Sequence, residues 1–316
     1  MAGEQDGDHA LLAGIQNDLV SPRILVLRRL LDQSSRTDFA GLEPDNAFTR
    51  RILFALYRNG EGRVFELAYT LGSDMAQVSR GLTSLRKDGL VNTRRQRDPY
   101  TLTPEGEKLG KQLFAIAEQR EARLLRGLET GEIIELVAML IHLQSRASAL
   151  LTEELALARA EGEPSELPAA QTEFATRVHP LLYNLANTVL RTATAAFKRL
   201  AGVSQFEWRV LVNMADQPAI SFAGLVQHIG VDKGQLSRTL NALEQSGLMV
   251  RSEDGSGTPR LLDLTAKGRR VYRLMEADSE QRNARMIEGL RPIHLERLRA
   301  QLDRLIANIV TTTPSD

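Results

Sequence analysis

The sequence predicts a mainly α-helical fold with small β-wings, built as two similar halves. Three observations support this prediction: an internal repeat, apolar residues at helical spacing, and glycine-containing turns at matching places in both halves. The chain has 316 residues, of which 42% are hydrophobic and 25% are charged. A chain of this length and composition usually forms two globular domains.

The repeat covers most of the chain. A shift of 158 residues aligns residues 22–90 with residues 180–248 without a gap, and 17 of the 69 aligned pairs are identical. After residue 102 the shift becomes 162, so the second half carries four extra residues in a segment that tolerates insertion, as loops do. We therefore predict a first domain at residues 1–157, an acidic linker at 158–172 and a second domain at 173–316.

The first two helices of each half can be placed from local signals. Pro22 and Pro180 are each expected at the first position of an amphipathic helix, and these helices run to about residues 38 and 200. A second helix is expected near Asp45 in the first half. In the second half it follows Ser204, which forms a capping-box pattern with Glu207.

Each half then contains a predicted helix-turn-helix. Short helices at residues 64–71 and 222–229 are followed by a glycine and by a second helix. The second helices begin at Asp74 and Asp232, each with glutamine three residues later, which is a capping-box pattern. A glycine 15 residues after each aspartate suits the left-handed conformation that closes a helix. Two short helices joined by a glycine-containing turn form a helix-turn-helix.

A β-hairpin follows each helix-turn-helix. Its arms are expected at residues 91–97 and 100–102 in the first half, and at 248–253 and 260–264 in the second. A threonine then caps the first of two long helices that close each half. The predicted fold class is therefore two tandem winged helix-turn-helix domains with long dimerisation-type helices.

One pattern occurs twice: Ser-Arg-x-Leu-x-x-Leu-x-x-x-Gly-Leu, then a hairpin, then Leu-Thr-x-x-Gly. It resembles the MarR family, the multiple-antibiotic-resistance type of regulator. The matching residues, with their partners in the second half, are Ser79, Arg80, Leu82, Leu85, Gly89, Leu90, Leu102, Thr103 and Gly106. The resemblance implies a sequence-specific DNA-binding transcriptional regulator that acts as a dimer, with two recognition helices in successive major grooves. Because both halves lie in one chain, we expect a covalent, intramolecular pseudo-dimer.

The wing departs from the family pattern in one half. The resemblance implies Asp-x-Arg, whose arginine enters the minor groove. The second half has Glu253-Asp254-Gly255 at that place, whereas the first half keeps Arg94, Arg95 and Arg97. We therefore expect unequal half-sites in the DNA, forming an imperfect palindrome.

Both recognition regions are locally basic, although the chain has no net charge. Residues 74–111 and 232–273 each carry eight basic and five acidic residues, which favours phosphate binding, although an ordinary solvated face has the same pattern. The glutamines of the two capping-box patterns are predicted either to read adenine or only to cap their helices. The predicted DNA-binding residues are Gln77, Ser79, Arg80, Arg86, Arg94, Arg95, Arg97, Lys233, Gln235, Ser237, Arg238, Arg251 and Arg260.

A small-molecule site is implied by the resemblance alone. The family often binds aromatic carboxylates or phenols between the helical base and the DNA-binding lobe. The alternative for any one aromatic residue at helical spacing is a place in the core. The predicted ligand-binding residues are Arg51, Phe54, Tyr183, Asn187, Trp208 and Arg209.

Several other classes of protein do not fit the sequence. There is no cysteine, which removes disulfides and thiolate zinc sites, and no histidine has another three or four residues away. No arrangement typical of an enzyme is visible, and no cofactor or metal is expected. No apolar run reaches 18 residues and residues 1–9 are acidic, so we expect a cytoplasmic protein without a membrane span or secretory signal.

Two functional hypotheses remain. The first is a repressor that a small aromatic or phenolic ligand releases from double-stranded DNA. The second is a fused regulator that has lost DNA binding and acts through protein–protein contacts, which the missing wing arginine favours. The sequence leaves further homo-oligomerisation of the chain open.

Overall fold

The computed structural model describes residues 19–44, 46–71, 73–95, 98–160, 177–229, 231–252 and 261–311. The chain divides into two compact units, which we name after the helix-turn-helix each contains. The N-terminal unit comprises the described parts of residues 27–144, 165–185 and 296–316. The C-terminal unit comprises the described parts of residues 1–26, 145–164 and 186–295. Each unit thus contains segments from both halves of the sequence.

Helices dominate both halves, with one small sheet in each. The elements of the first half are α1 (Val20–Asp38), α2 (Ala47–Asn59), β1 (Glu61–Gly62), α3 (Val64–Leu71), α4 (Met75–Lys87), β2 (Val91–Asn92), β3 (Tyr100–Leu102), α5 (Pro104–Leu124) and α6 (Thr130–Ala160). Those of the second half are α7 (Val178–Ala201), α8 (Gln205–Asp216), β4 (Ile220–Ser221), α9 (Phe222–Ile229), α10 (Lys233–Gln245), β5 (Met249–Ser252), β6 (Leu261–Leu264), α11 (Ala266–Ile287) and α12 (Pro292–Val310).

The N-terminal unit is built around α2, which packs against α3, α4 and α5. Its core contains Ile52, Leu53, Leu67, Leu82 and Leu85, all of them buried. The hairpin strands β2 and β3 pair antiparallel, and β1 adds a third strand on the other side of β3. The predicted wing is therefore the outer part of a three-stranded sheet, which fixes it to the helix-turn-helix.

The C-terminal unit has the same order of elements. Strands β4, β6 and β5 form an antiparallel sheet in that spatial order, and Met249 of β5 faces Leu264 of β6. The core holds Leu211, Leu225, Leu240 and Met275, with Trp208 packed against its edge. Residues 253–260, which include the predicted turn of this wing, lie outside the described residues.

Several helix starts are set by side chains that the sequence indicated, whereas α1 and α7 begin at Val20 and Val178, two residues before the prolines expected to start them. Thr103 and Thr265 cap α5 and α11, and each accepts a hydrogen bond from the backbone N–H three residues later. The capping box of Ser204 and Glu207 is present at the start of α8. Helix α2 begins at Ala47 with Asn46 as its N-cap, rather than at Asp45, which lies outside the described residues.

The starts of α1 and α7 are capped from the other half of the sequence. In the N-terminal unit, the Glu121 carboxylate accepts hydrogen bonds from the backbone N–H groups of Val178 (2.7 Å) and His179 (3.1 Å). In the C-terminal unit, Asn283 Oδ1 accepts from the N–H groups of Val20 (3.0 Å) and Ser21 (3.1 Å). A long helix of one half thereby satisfies the free N–H groups that begin a helix of the other half.

Helix α6 is long and apolar. An 18-residue window of it has a mean hydropathy of 1.3, so by length and composition alone it meets the criteria for a membrane span. Leu136, Leu140 and Leu143 of this helix are buried in the N-terminal unit. Its Glu135 forms an ion pair with Arg297 of α12 at 3.2 Å. One such helix is weak evidence for a membrane, because core helices of globular proteins pass the same test.

We predict that Gly106→Ala destabilises the protein strongly. A methyl group at this position would lie 2.0 Å from the carbonyl oxygen of Leu90, so the start of α5 must move away from the end of the helix-turn-helix. The expected loss is about 1–3 kcal/mol of unfolding free energy, measured by urea denaturation. Gly131→Ala is the matched control, because no atom lies within 4 Å of its added methyl. Equal effects of the two substitutions would contradict the steric argument.

Candidate nucleic-acid interface and a buried cavity

Helix α4 presents the predicted DNA-binding residues of the first half to solvent. Val78, Leu82 and Leu85 point into the core and are fully buried. The opposite face of the helix carries predicted residues that are all exposed, namely Gln77, Ser79, Arg80 and Arg86. The helical period thus separates an anchoring face from a polar face that is free to meet another molecule.

Helix α10 has the same construction in the second half. Its Leu236, Leu240 and Leu243 are buried. Its exposed face carries Lys233, Gln235, Ser237 and Arg238. Two exposed faces with the motif Gln-x-Ser-Arg are therefore present, one in each unit.

The aspartate caps of the two recognition helices, α4 and α10, show one of the two hydrogen bonds of a capping box. Asp74 accepts a hydrogen bond from the Gln77 N–H at 2.7 Å, and Asp232 accepts one from the Gln235 N–H at 2.9 Å. The reciprocal bonds from the glutamine side chains do not occur among the described contacts. The Gln77 side chain instead accepts from the Ser73 hydroxyl. Gln77 and Gln235 therefore take part in the caps through their backbone N–H groups, and a role of their side chains in reading a base stays a prediction.

The wings hold their arginines differently. Arg94 and Arg95 are exposed beyond β2, whereas Arg97 lies outside the described residues. Arg251 of β5 is half-buried and binds back to α10, through an ion pair with Glu244 and a 2.7 Å hydrogen bond to Asn241. Arg260 also lies outside the described residues. Arg251 therefore fastens the wing to the recognition helix, and that role competes with contact to a phosphate.

A cavity of about 230 Å³ lies inside the N-terminal unit. Of the predicted ligand-binding residues, Arg51, Phe54 and Tyr183 line it. Asn187 is not among the lining residues, and Trp208 and Arg209 belong to the C-terminal unit. Residues that the sequence analysis missed line it as well: Phe39, Arg50, Arg120, Glu121, Arg177 and His179.

Arginines outnumber carboxylates among the residues that line this cavity. Its lining contains four arginines but only two carboxylates, those of Asp32 and Glu121. Arg120 is buried and donates to Asp38 at 2.7 Å and to the Leu31 carbonyl at 2.9 Å. Arg177 pairs with Glu118 at 2.6 Å. Asp38 and Glu118 therefore balance two of the four lining arginines.

Two lining groups have shifted pKa values. Burial, together with the positive charges of Arg120 and Arg177, lowers the pKa of His179 to about 3, so this imidazole is neutral near pH 7. Burial also lowers the pKa of Arg51, whose guanidinium donates to the Leu71 carbonyl at 3.0 Å. The cavity therefore holds one neutral histidine and a poorly solvated cation.

The corresponding position of the C-terminal unit is occupied by aromatic rings. Trp208, which aligns with Arg50, stacks on Tyr272 with ring centroids 5.5 Å apart and contacts Phe197 at 5.4 Å. The Tyr272 hydroxyl donates to Glu276 at 2.6 Å, and burial together with this bond raises the pKa of the phenol. The described residues contain no group of three or more His, Asp or Glu side chains that could hold a metal ion.

Comparisons with known proteins agree with this fold. A sequence model of the MarR family matches residues 203–256, which span α8 to β5 and the segment after it. A comparison with curated proteins gave no match. Residues 203–256, which include the helix-turn-helix of the second half, are therefore similar in sequence to the MarR family of transcriptional regulators.

Three solved structures illustrate the likeness. The transcriptional regulator SlyA is 24% identical, with 40% of this chain and 89% of that one covered and a TM-score of 0.35. Bordetella bronchiseptica BpsR, whose DNA binding is regulated by 6-hydroxynicotinic acid, is 22% identical over 34% and 88% of the chains, with a TM-score of 0.27. MepR of S. aureus, solved as a DNA complex, is 14% identical over 41% and 95%, with a TM-score of 0.36.

We predict that His179 makes stability fall in mild acid. Its folded pKa of about 3 lies below the ordinary value of 6.5, so between these pH values the unfolded chain binds one more proton than the folded chain. The unfolding free energy should therefore decrease as the pH falls below 6.5, by up to about 1.4 kcal/mol per pH unit from this group. Urea denaturation at pH 7 and pH 5 measures this decrease in unfolding free energy. In His179→Gln the decrease should be smaller, and an unchanged decrease would contradict the assignment.

Proposed function

We propose that this chain is a transcriptional regulator that binds double-stranded DNA through α4 and α10 together. The observation that carries the proposal is the pair of exposed helix faces, each with Gln-x-Ser-Arg after an aspartate cap. Arginine reads guanine bidentately and glutamine reads adenine, so these side chains suit base recognition in a major groove. The basic residues around them supply phosphate contacts.

The two half-sites in the DNA differ in this proposal. Positions Met75 and Ala76 of α4 correspond to Lys233 and Gly234 of α10. Exposed wing arginines are described beside α4, whereas Arg251 beside α10 is tied to Glu244. A mismatched base pair typically costs about 1–3 kcal/mol, so such differences suffice to favour an imperfect palindrome bound in one orientation.

The proposed regulator is a cytoplasmic repressor. A small aromatic or phenolic ligand releases it from DNA. The cavity of the N-terminal unit supports this part, because it combines the Phe39 and Phe54 rings with arginines. Concave sites lined by apolar groups and a few polar ones are typical of small-molecule binding.

We also propose that the two halves of one chain pair with each other, so that a single chain suffices to bind an operator. The caps of α1 and α7 support it, since Asn283 and Glu121 each serve the opposite half of the sequence. Ion pairs between halves add to this, as between Arg199 and Glu154 (2.6 Å) and between Arg285 and Glu153 (2.6 Å). Pairing in cis therefore supplies the interlocked helical base that the family resemblance implies.

A second candidate function has one observation in its favour. The internal bonds of Arg251 and the absence of arginine at Glu253–Gly255 fit a half that has stopped using its wing on DNA. The chain would then act through protein contacts. The exposed Ser237 and Arg238 of α10 argue for the first function, because protein contacts alone do not require this motif in both halves.

We predict salt-sensitive DNA binding that depends on Arg80 and Arg238. Each arginine changed to alanine should weaken binding by about 1–3 kcal/mol, which is roughly 5- to 150-fold, and should relax discrimination in its own half-site only. Genomic fragments in a mobility-shift assay identify the operator. Binding at several salt concentrations, and footprinting with single base-pair changes in each half-site, then test the roles.

Arg304→Ala is the matched control, because Arg304 is an exposed arginine of α12 outside both helix-turn-helix motifs. It should bind as the unaltered chain does. Unchanged binding by the double variant of Arg80 and Arg238, or no bound fragment at all, would favour the second function. Equal penalties in both half-sites for a base change would contradict the asymmetry.

We also predict that one chain occupies one operator. The mass of the protein–DNA complex, from light scattering or native mass spectrometry, should correspond to one chain on one operator. Replacing Arg199 and Arg285 with alanine should lower stability without changing this ratio, because each bond lies within one chain. A complex in which halves of different chains pair would contradict the cis arrangement.

A further inference from the structure

We propose that Ser73 is a positioning residue for base recognition: its hydroxyl holds the amide of Gln77 so that Gln77 meets a purine N7 as a hydrogen-bond donor. Gln235, the matching residue of the second half, has no such hydroxyl beside it and reads adenine with both ends of its amide. The inference deepens the proposed function and rests on it for its meaning on DNA, whereas the hold of Ser73 on Gln77 can be tested without DNA.

Gln77 is held through both its backbone and its side chain. Its backbone N–H donates to the Asp74 cap at 2.7 Å, and its Oε1 accepts a hydrogen bond from the Ser73 hydroxyl. Ser73 is itself fixed, because its backbone N–H donates to the Ala68 carbonyl near the end of α3 at 3.0 Å. The turn that joins α3 to α4 therefore determines where the Gln77 amide oxygen lies.

The bond to Ser73 leaves the amide nitrogen of Gln77 to meet another molecule. A serine hydroxyl has one proton to donate, and here the proton goes to Oε1, which holds that oxygen beside the turn. The Nε2 hydrogens have no acceptor among the described residues, and the side chain is exposed at the third position of α4. N-terminal residues of a recognition helix contact base edges, and purine N7 is an acceptor in the major groove. Gln77 is therefore suited to donate to a purine whatever group that purine carries at position 6.

The second half lacks this restraint. Val231 stands at the position of Ser73, and it packs against the apolar core instead of offering a hydroxyl. The Gln235 backbone N–H donates to the Asp232 cap at 2.9 Å, but its side chain has no hydrogen bond within the described part of the chain. This amide can turn to place Oε1 on the adenine amino group and Nε2 on N7, the bidentate pairing that glutamine makes with adenine. The 6-amino group of adenine should therefore matter in the second half-site and not in the first.

The hold on Gln77 is measured first in the free, full-length protein. NMR relaxation of the side-chain amide groups, assigned with Gln77→Ala and Gln235→Ala, should show a more ordered amide for Gln77 than for Gln235. Ser73→Ala, which removes only the hydroxyl, should lower the order of the Gln77 amide to that of Gln235, whereas Ser73→Thr should keep it. Ser84→Ala is the matched control, because it removes an exposed serine hydroxyl from the same helix, and the Gln77 amide should then stay ordered.

Val231→Thr tests the same idea in the opposite direction. Threonine keeps a branched side chain against the core and adds the hydroxyl that Val231 lacks. The order of the Gln235 amide should rise toward that of Gln77. Emission of Trp208, which is the single tryptophan and packs against the same core, verifies the fold of this variant.

Base analogues then test the reading of DNA. Gln77→Ala and Gln235→Ala identify the base pair that each glutamine reads, since the loss of a reader relaxes discrimination at its own position. 2-Aminopurine in place of adenine keeps N7 but lacks the 6-amino group. It should weaken binding about fivefold or more in the second half-site and less than about twofold in the first. 7-Deazaadenine, which lacks N7, should weaken binding in both half-sites.

The variants should exchange these responses to 2-aminopurine. Ser73→Ala should make the first half-site as sensitive as the second, because the freed Gln77 amide can then also accept from the amino group. Val231→Thr should make the second half-site as insensitive as the first. Ser73→Thr and Ser84→Ala should respond as the unaltered chain does.

The outcomes separate this inference from the proposed function. Equal order of the two amides in the unaltered chain, or an ordered Gln77 amide in Ser73→Ala, would overturn the inference. A base pair read by Gln77 that depends on the 6-amino group as strongly as the pair read by Gln235, or that tolerates the loss of N7, would overturn it as well. If the amide results hold and no DNA is bound, the positioning by Ser73 stands and the proposed function fails. If both helices bind DNA and the two amides are equally mobile, the proposed function stands and the inference fails.

Discussion

Two helix starts depend on side chains that lie far away in the sequence. The first N–H groups of α1 and α7 have no partner within their own helices, and Asn283 and Glu121 supply one. A lost N-cap typically costs about 1 kcal/mol, and a buried N–H left without a partner costs more. Because each cap comes from the opposite half, neither compact unit is complete without residues of both halves.

Local signals in the sequence predicted much of the fold. The caps of Thr103, Thr265 and Ser204 were predictable because a hydroxyl satisfies N–H groups only three residues away. Gly89 and Gly247 adopt the expected left-handed backbone, with φ of 73° and 66°. Strands β1 and β4 were not predicted, since two residues have no periodicity and they become strands only by pairing with β3 and β6.

The residues that line the cavity could be predicted only in part from the sequence. Arg51 and Phe54 lie on a helix with a clear period, so their place could be anticipated. The contact of Arg120 with His179 joins residues 59 positions apart, and nothing local connects them. The repeat offered one unused signal, because Arg120 aligns with Arg282 and both contact a phenylalanine ring, Phe39 and Phe197. Asn187 does not line this cavity, and its role in binding a ligand stays a prediction.

The presence of Arg50 in one half and Trp208 in the other has an evolutionary consequence. In a dimer of identical chains every substitution appears twice, so a change that fills one pocket fills both and a change that harms one helix harms both. In this chain each position is encoded separately, and Trp208 could arise beside Tyr272 while Arg50 stayed beside Phe39. Selection can therefore change a position in one half while the matching position in the other half stays the same, one codon at a time.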